Sequence, residues 1–459
     1  MITLGALASI VIVSASSYFI FFEKKGDHFS IDSETQIGYT PEQIDRVAWE
    51  WDTPEGHSIV TVMPGPAGPV VVMERGVIGL DGTTGEELWG YQSDLDGSDV
   101  SASVTPDGQY ALIAEVRDGL LGERNHVSLL DTATGEIQKR YRYSPDSRFP
   151  NLLNLSDHNW IEAHDRGIVA RDLYSGDITW EYQPDPACGI QMIYETRTFE
   201  HAADYSVATS GDHYAIAELC RDRPDEIEPD SPHILGDLVV LDTQSGDISW
   251  TSEDDILLKE VTLSELEVPY SASINVSRDE TALLAETSSG STIFDLATGE
   301  VVQDDQQSLI QEDWESSRIV DFTNENMIVA GGEFSKNELP EFSNLTMENG
   351  DSHDKTSSIK DYYDYNSLEY HRTRPTDSFS YSLPLEKGII TTGCTGQCNE
   401  DRSNDAILFA PWDRGQSDMV IVSENIDWIF SDKRALFLEA PGSVILYQTG
   451  SGGSIIGLA

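Results

Sequence analysis

Leu241-Asp242-Thr243-Gln244-Ser245-Gly246-Asp247-Ile248-Ser249-Trp250 is the stretch whose reading decides the fold of this chain. An apolar run ends in Asp, two variable residues lead to Ser or Thr, a Gly follows, and an acidic residue opens a second apolar run. The pattern recurs at Leu80-Asp81 to Trp89, Leu130-Asp131 to Ile137, Arg171-Asp172 to Trp180 and Phe294-Asp295 to Val301. An Asp at the start of a tight turn accepts hydrogen bonds from amides two and three residues on, and the Gly supplies the positive φ that returns the chain as a strand. Asp81, Asp131, Asp172, Asp242 and Asp295 are therefore expected as turn acceptors, and Gly85, Gly135, Gly176, Gly246 and Gly299 as the residues that close the hairpins. Trp89, Trp180 and Trp250 each stand four residues after the Gly. Strict alternation would put them on the strand face of the residue two after the Gly, packed between neighbouring sheets.

A second unit precedes several of these turns. Val104 to Ala114, Ala208 to Ala217, Val276 to Ala285 and Phe430 to Leu438 each read as strand, polar turn and apolar strand. Joined to the Asp-led hairpin, each makes four antiparallel strands. In these turns and their trailing Trp residues the chain resembles the PQQ-like repeat propellers of the quinoprotein dehydrogenase-like superfamily, over about residues 46 to 458. The resemblance implies an all-β fold, a seven- or eight-bladed β-propeller of four-stranded antiparallel blades. Beyond Gly299 the pattern decays, but strands are expected at Ile319 to Phe322, Met327 to Ala330, Gly388 to Thr392, Ala406 to Phe409, Met419 to Val422 and Val444 to Tyr447. Residues 335–380 read as a long polar insertion, with Tyr362, Tyr363, Tyr365 and Tyr370 as a possible partner contact or part of a disordered loop. Asn344-Leu345-Thr346 matches a glycosylation acceptor. Arg46 to Trp51 looks like an outer strand without its turn, and the C-terminal Ile455 to Leu458 like a blade lacking that strand; pairing the two would complete a blade and remove two sheet edges. A short helix is expected to start at Thr40-Pro41 just before it.

The 459 residues carry 81 acidic against 28 basic side chains, a formal charge of −53, which makes nucleic acid an unsuitable partner. With 39% hydrophobic residues the acidity belongs to a folded protein, exposed to high salt or the cell exterior, or simply of acidic composition throughout. Ile2 to Phe22 is uncharged and long enough to span a bilayer as a helix. It is read as an uncleaved anchor at 1–23 followed by a juxtamembrane linker at 24–45, with the propeller outside the cytoplasm. A signal peptide cut near Ser14-Ala15-Ser16 is the competing reading, and Lys24 and Lys25 taken alone favour the opposite orientation. Cys188, Cys220, Cys394 and Cys398 are an even set behind a membrane segment, and two local disulfides, Cys188 with Cys220 and Cys394 with Cys398, are the simplest pairing. Zinc ligation and buried thiols are the alternatives.

The quinone-site pattern of the resembling dehydrogenases includes adjacent cysteines. Here Cys394 and Cys398 are separated by three residues, so no cofactor is carried over. No nucleophile elbow, zinc-protease helix motif or phosphate loop occurs, and His158 and His164 flank Trp160 without a ligand pattern. The expected role is a membrane-held binding or assembly scaffold for a protein partner, without catalysis. An enzyme with its site at the channel mouth, carbohydrate-active or quinone-dependent, is the alternative.

Overall fold

The computed structural model describes residues 28–30, 38–93, 100–119, 122–143, 154–164, 167–184, 188–190, 207–221, 233–252, 256–260, 273–287, 290–304, 318–323, 326–331, 341–346, 355–358, 382–393, 406–411, 420–424 and 435–459. These form eight antiparallel sheets, six of four strands, one of five and one of six. The chain divides into two compact units, residues 1–149 with 431–459, and residues 150–430. The first holds three sheets and the second five.

The Asp-led turns produce a device that alternation alone does not predict. Opposite strand His233–Asp242, Val240 faces Trp250 and Leu241 faces Ile248, so Ser249 is an extra residue. The same bulge follows the other four turns. A bulge puts two residues against one and re-aims the side chains on either side of it. The expectation that the Trp and the residue two after the Gly share a face therefore fails. Trp180 and Trp250 are 7% and 9% exposed, while Ile178, Ile248 and Val301 stand 49%, 54% and 55% exposed.

Four buried tryptophans each join one sheet to another within their unit. In the first unit the Trp49 indole donates to the Gly82 carbonyl (2.8 Å) and Trp89 to Thr132 (2.6 Å). In the second, Trp180 donates to Thr243 and Trp250 to Leu296, both at 2.8 Å. Each indole lies on the Asp-led turn of the following sheet, which needs bare backbone there. At Gly246, with φ +75°, a Cβ would stand 2.7 Å from Trp180 Cδ2. Strands enclosed on both faces, such as Gly68–Met73 and Ser443–Gln448, are buried along their whole length. They accordingly read as unbroken apolar runs.

The two ends of the chain meet in one sheet of the first unit, ordered Val47–Asp52, Ser454–Leu458, Ser443–Gln448, Ala435–Ala440. Trp51 faces Ile455 and Glu50 faces Ile456, so the lone N-terminal strand supplies the Trp-bearing edge that the C-terminus lacks. The helix expected at Thr40-Pro41 does not form. The amides of Asp45 and Arg46 both donate to the Ala459 carbonyl at 3.0 Å, Thr40 Oγ1 reaches Ala440 O (3.4 Å), and Ile44 is buried, so this stretch is held by the closing sheet rather than by a turn of its own. Upstream, Phe29 and Gly90 exchange two backbone bonds of 3.1 Å, and His28 Nε2 bonds the Gly135 carbonyl. Where it is described, the expected linker is thus packed on the first unit. The polar stretch 335–380 likewise contributes strands Glu341–Thr346 and Lys355–Ser358, completing a sheet with Arg318–Phe322 and Asn326–Gly331. Asn344 there is paired on both sides, to Ile328 and Lys355, unlike the surface loop in which a glycosylation acceptor sits.

Candidate functional site

The five repeat aspartates each serve their own turn. Asp242 Oδ1 accepts from the amides of Gln244 (3.1 Å) and Ser245 (2.7 Å) and from the Ser245 hydroxyl (2.9 Å). Asp81, Asp131, Asp172 and Asp295 accept in the same way. Partial burial pushes the Asp242 carboxyl up, but the Ser245 amide and hydroxyl, the Gln244 amide and the nearby His213 outweigh it and hold the group below its usual range. Carboxylates so engaged are poor candidates for substrate chemistry.

A second family of turns gathers charge instead. Ser156, Ser210 and Ser277 each bind amides of their own turn through Oγ: Asn159 N at 2.9 Å, His213 N at 3.0 Å and Ala282 N at 2.9 Å. These turns open three successive sheets of the second unit and bring Asp157, Asp212 and Glu280 together around Gly211. The Gly211 amide donates to Glu280 Oε2 (3.0 Å), and a Cβ on Gly211 would lie 2.5 Å from Asp157 Oδ2. Glu280 holds φ +58°, a left-handed backbone uncommon outside glycine. Partial burial raises its pKa, the Gly211 amide opposes the rise, and the charges of Asp157 and Asp212 add to it, with His213 acting the other way. Arg278, from the same turn, donates to the Pro384 carbonyl at 3.1 Å. The arrangement favours taking up a proton or attracting a cation. Among the described residues no three His, Cys, Asp or Glu are grouped as metal ligands.

A third feature escaped the sequence reading. Two residues beyond the docking indole, Tyr182 gives its hydroxyl to Glu218 of the next sheet, a carboxylate only 4% exposed. Tyr91 meets buried Glu115 in the same way, with Ser128 and Arg140 beside it, and burial followed by the Glu115 charge pushes the phenol up to about 12. At the matching place in the closing sheet Trp51 donates to Glu87 (3.1 Å), whose burial raises its pKa. The signal was a Tyr six residues after the turn glycine in three consecutive repeats, Tyr91, Tyr141 and Tyr182.

Of the other expected residues, Cys188 stands directly opposite Cys220 in an antiparallel pair. Cys394, Cys398, Tyr362, Tyr363, Tyr365, Tyr370 and the apolar N-terminal segment lie outside the described residues. Among those described, no helix is long and apolar enough to cross a membrane.

No family model and no curated protein matches the sequence. Solved structures that the chain is similar to include the WD40 domain of SCAP from fission yeast, at 10% identity over 89% of this chain and 98% of that one, TM-score 0.43. A eukaryotic initiation factor matches at 11% identity over 86% and 96%, TM-score 0.39. The Neurospora crassa Pan2 WD40 domain matches at 9% identity over 78% and 88%, TM-score 0.33.

Proposed function

We propose that the chain is a propeller of PQQ-like repeats, held to a membrane by its apolar N-terminal segment, with its body outside the cytoplasm, that binds a protein partner as a scaffold. The fold reading is supported by eight sheets of repeating order, indoles stepping from sheet to sheet within each unit, and termini that share a sheet. The register of Cys188 and Cys220 would admit a disulfide, as the extracytoplasmic reading requires. Opposed Cα atoms in an antiparallel pair are about 4.5–5.5 Å apart, inside the span a disulfide bridges.

The observation that carries the binding role is a surface one. In three successive repeats an acidic residue is followed by an exposed branched apolar side chain: Asp177-Ile178, Asp247-Ile248 and Glu300-Val301. A lone exposed apolar residue means little, whereas the same exposure at one repeat position in sheet after sheet presents a periodic surface to a partner. The test is capture of partners by the full-length protein in detergent from its own cells, repeated with Ile178→Asp, Ile248→Asp and Val301→Asp combined. Loss of one specific partner supports the scaffold, and an unchanged set of captured proteins removes this surface from the argument. The convergence of Asp157, Asp212 and Glu280 favours a second reading, an enzyme using a raised carboxyl as acid or base. Turnover abolished by Glu280→Gln would select that reading.

A further inference from the structure

We propose that the outer edges of two sheets in the second unit, strands Ile178–Tyr182 and Ile248–Thr251, receive an extended basic segment of a protein partner as an added strand, paired through the backbone of Glu181 and Thr251. The inference rests on the scaffold reading and gives it a mode of recognition.

The first unit shows such an edge occupied. Its strand Glu87–Gln92 follows the same turn and carries the same bulge, and Phe29 lies against it, exchanging both backbone bonds with Gly90. Gly90 stands five residues after its turn glycine, and Glu181 and Thr251 stand five after theirs. Register carries the equivalence into three dimensions: Gly90 faces Ile78, Glu181 faces Val169 and Thr251 faces Val239. The Ser252 amide turns inward to Leu238 O (2.9 Å), as Ser93 does to Arg75 O (2.9 Å), so the amide of Thr251, like that of Gly90, turns outward. Exposure changes with occupancy. Gly90, bonded to Phe29, is buried, whereas Ile178, Thr179, Glu181, Ile248, Ser249 and Thr251 are all exposed. Among the described residues neither open edge carries a further strand.

A row of outward amides and carbonyls is a template for another strand. Backbone pairing supplies affinity in such additions, and alternate side chains supply specificity. Here the exposed side chains on offer are Asp177, Ile178 and Glu181 at one edge and Asp247 and Ile248 at the other, in a chain of net charge −53. The complementary segment alternates basic and branched apolar residues.

The test uses the full-length protein in detergent and a ten-residue peptide alternating Lys and Val, with its Glu–Val counterpart as control. Two further isomers carry N-methyl groups on all Val amides or on all Lys amides. A peptide added as an edge strand has only one set of amides facing the protein. Binding read by fluorescence anisotropy should therefore survive in one isomer and fall at least tenfold in the other, and hydrogen exchange should slow at Glu181 and Thr251. Thr251→Pro removes an outward donor and leaves the ladder intact, and should weaken the peptide without unfolding the protein. Equal binding of both isomers, protection elsewhere, or no preference over the Glu–Val peptide would overturn the inference while leaving partner capture to judge the scaffold. Capture of no partner by the wild-type chain would overturn the scaffold itself.

Discussion

Replacing Gly246 by Ala tests one of the sheet-to-sheet joints. Gly246 has φ +75°, and a Cβ there would meet Trp180 Cδ2, Cγ and Cε3 at 2.7, 2.8 and 2.9 Å. Two costs follow. Holding an L-residue in the left-handed region costs about 1–2 kcal/mol, whatever surrounds it. Forcing a methyl into a packed ring adds about 1–3 kcal/mol. The single substitution should therefore destabilise by roughly 2–5 kcal/mol. Trp180→Ala alone should cost about 3–5 kcal/mol in lost packing. It does not strand the Thr243 carbonyl, which also accepts from Asn159 Nδ2 at 2.5 Å. With the ring gone the methyl has room, and Gly246→Ala should then cost only its backbone part. Urea unfolding of the four proteins in the cycle should give a coupling of about 1–3 kcal/mol, the clash itself. Strict additivity would mean that the indole does not lie on the turn.

Tyr182→Phe removes a donor from buried Glu218 and should cost about 1–3 kcal/mol, largely restored when Glu218→Leu is added; a double variant no better than Tyr182→Phe would deny the pair. Because the folded protein raises the Glu280 pKa above 4.5, it holds that proton more tightly than the unfolded chain, so this group's contribution to stability falls as pH rises through the window between the two values. Glu280→Gln should thus help more at pH 7 than at pH 4, and a pH-independent difference would contradict the charge convergence. Peptide mapping without reductant should recover Cys188 joined to Cys220, and reduction should lower stability by about 2–4 kcal/mol; free thiols in a sample isolated under oxidising conditions would remove the bridge.

The local devices were legible in the sequence because their physics is local. An Asp three residues before a Ser or Thr with a Gly next is suited to cap its own turn and return the strand, so the five-fold recurrence of the pattern around Asp242 and Gly246 announces a hairpin. The meeting of the chain ends was legible for a related reason: Arg46 to Trp51 has the composition of an outer strand with no hairpin to supply its partner, and an unpaired edge needs one. The bulge was not legible. Ser249 is unremarkable in sequence, and only the register against Val240 and Leu241 shows it to be an extra residue. That one residue decides that Ile248 faces outward while Trp250 is buried, so the surface assigned to binding came from tertiary structure alone.

The same division holds for the charged sites. Tyr182 and Glu218 are 36 residues apart, and Asp157, Gly211 and Glu280 lie on three different sheets. Glu218, Asp157 and Glu280 are each ordinary among 81 acidic side chains until packing selects them. Sequence patterning determines which way a strand turns and which face is apolar, because those are set by neighbours one to five residues away. Which carboxylate loses its water, and which edge stays open, depends on what the rest of the fold lays against it.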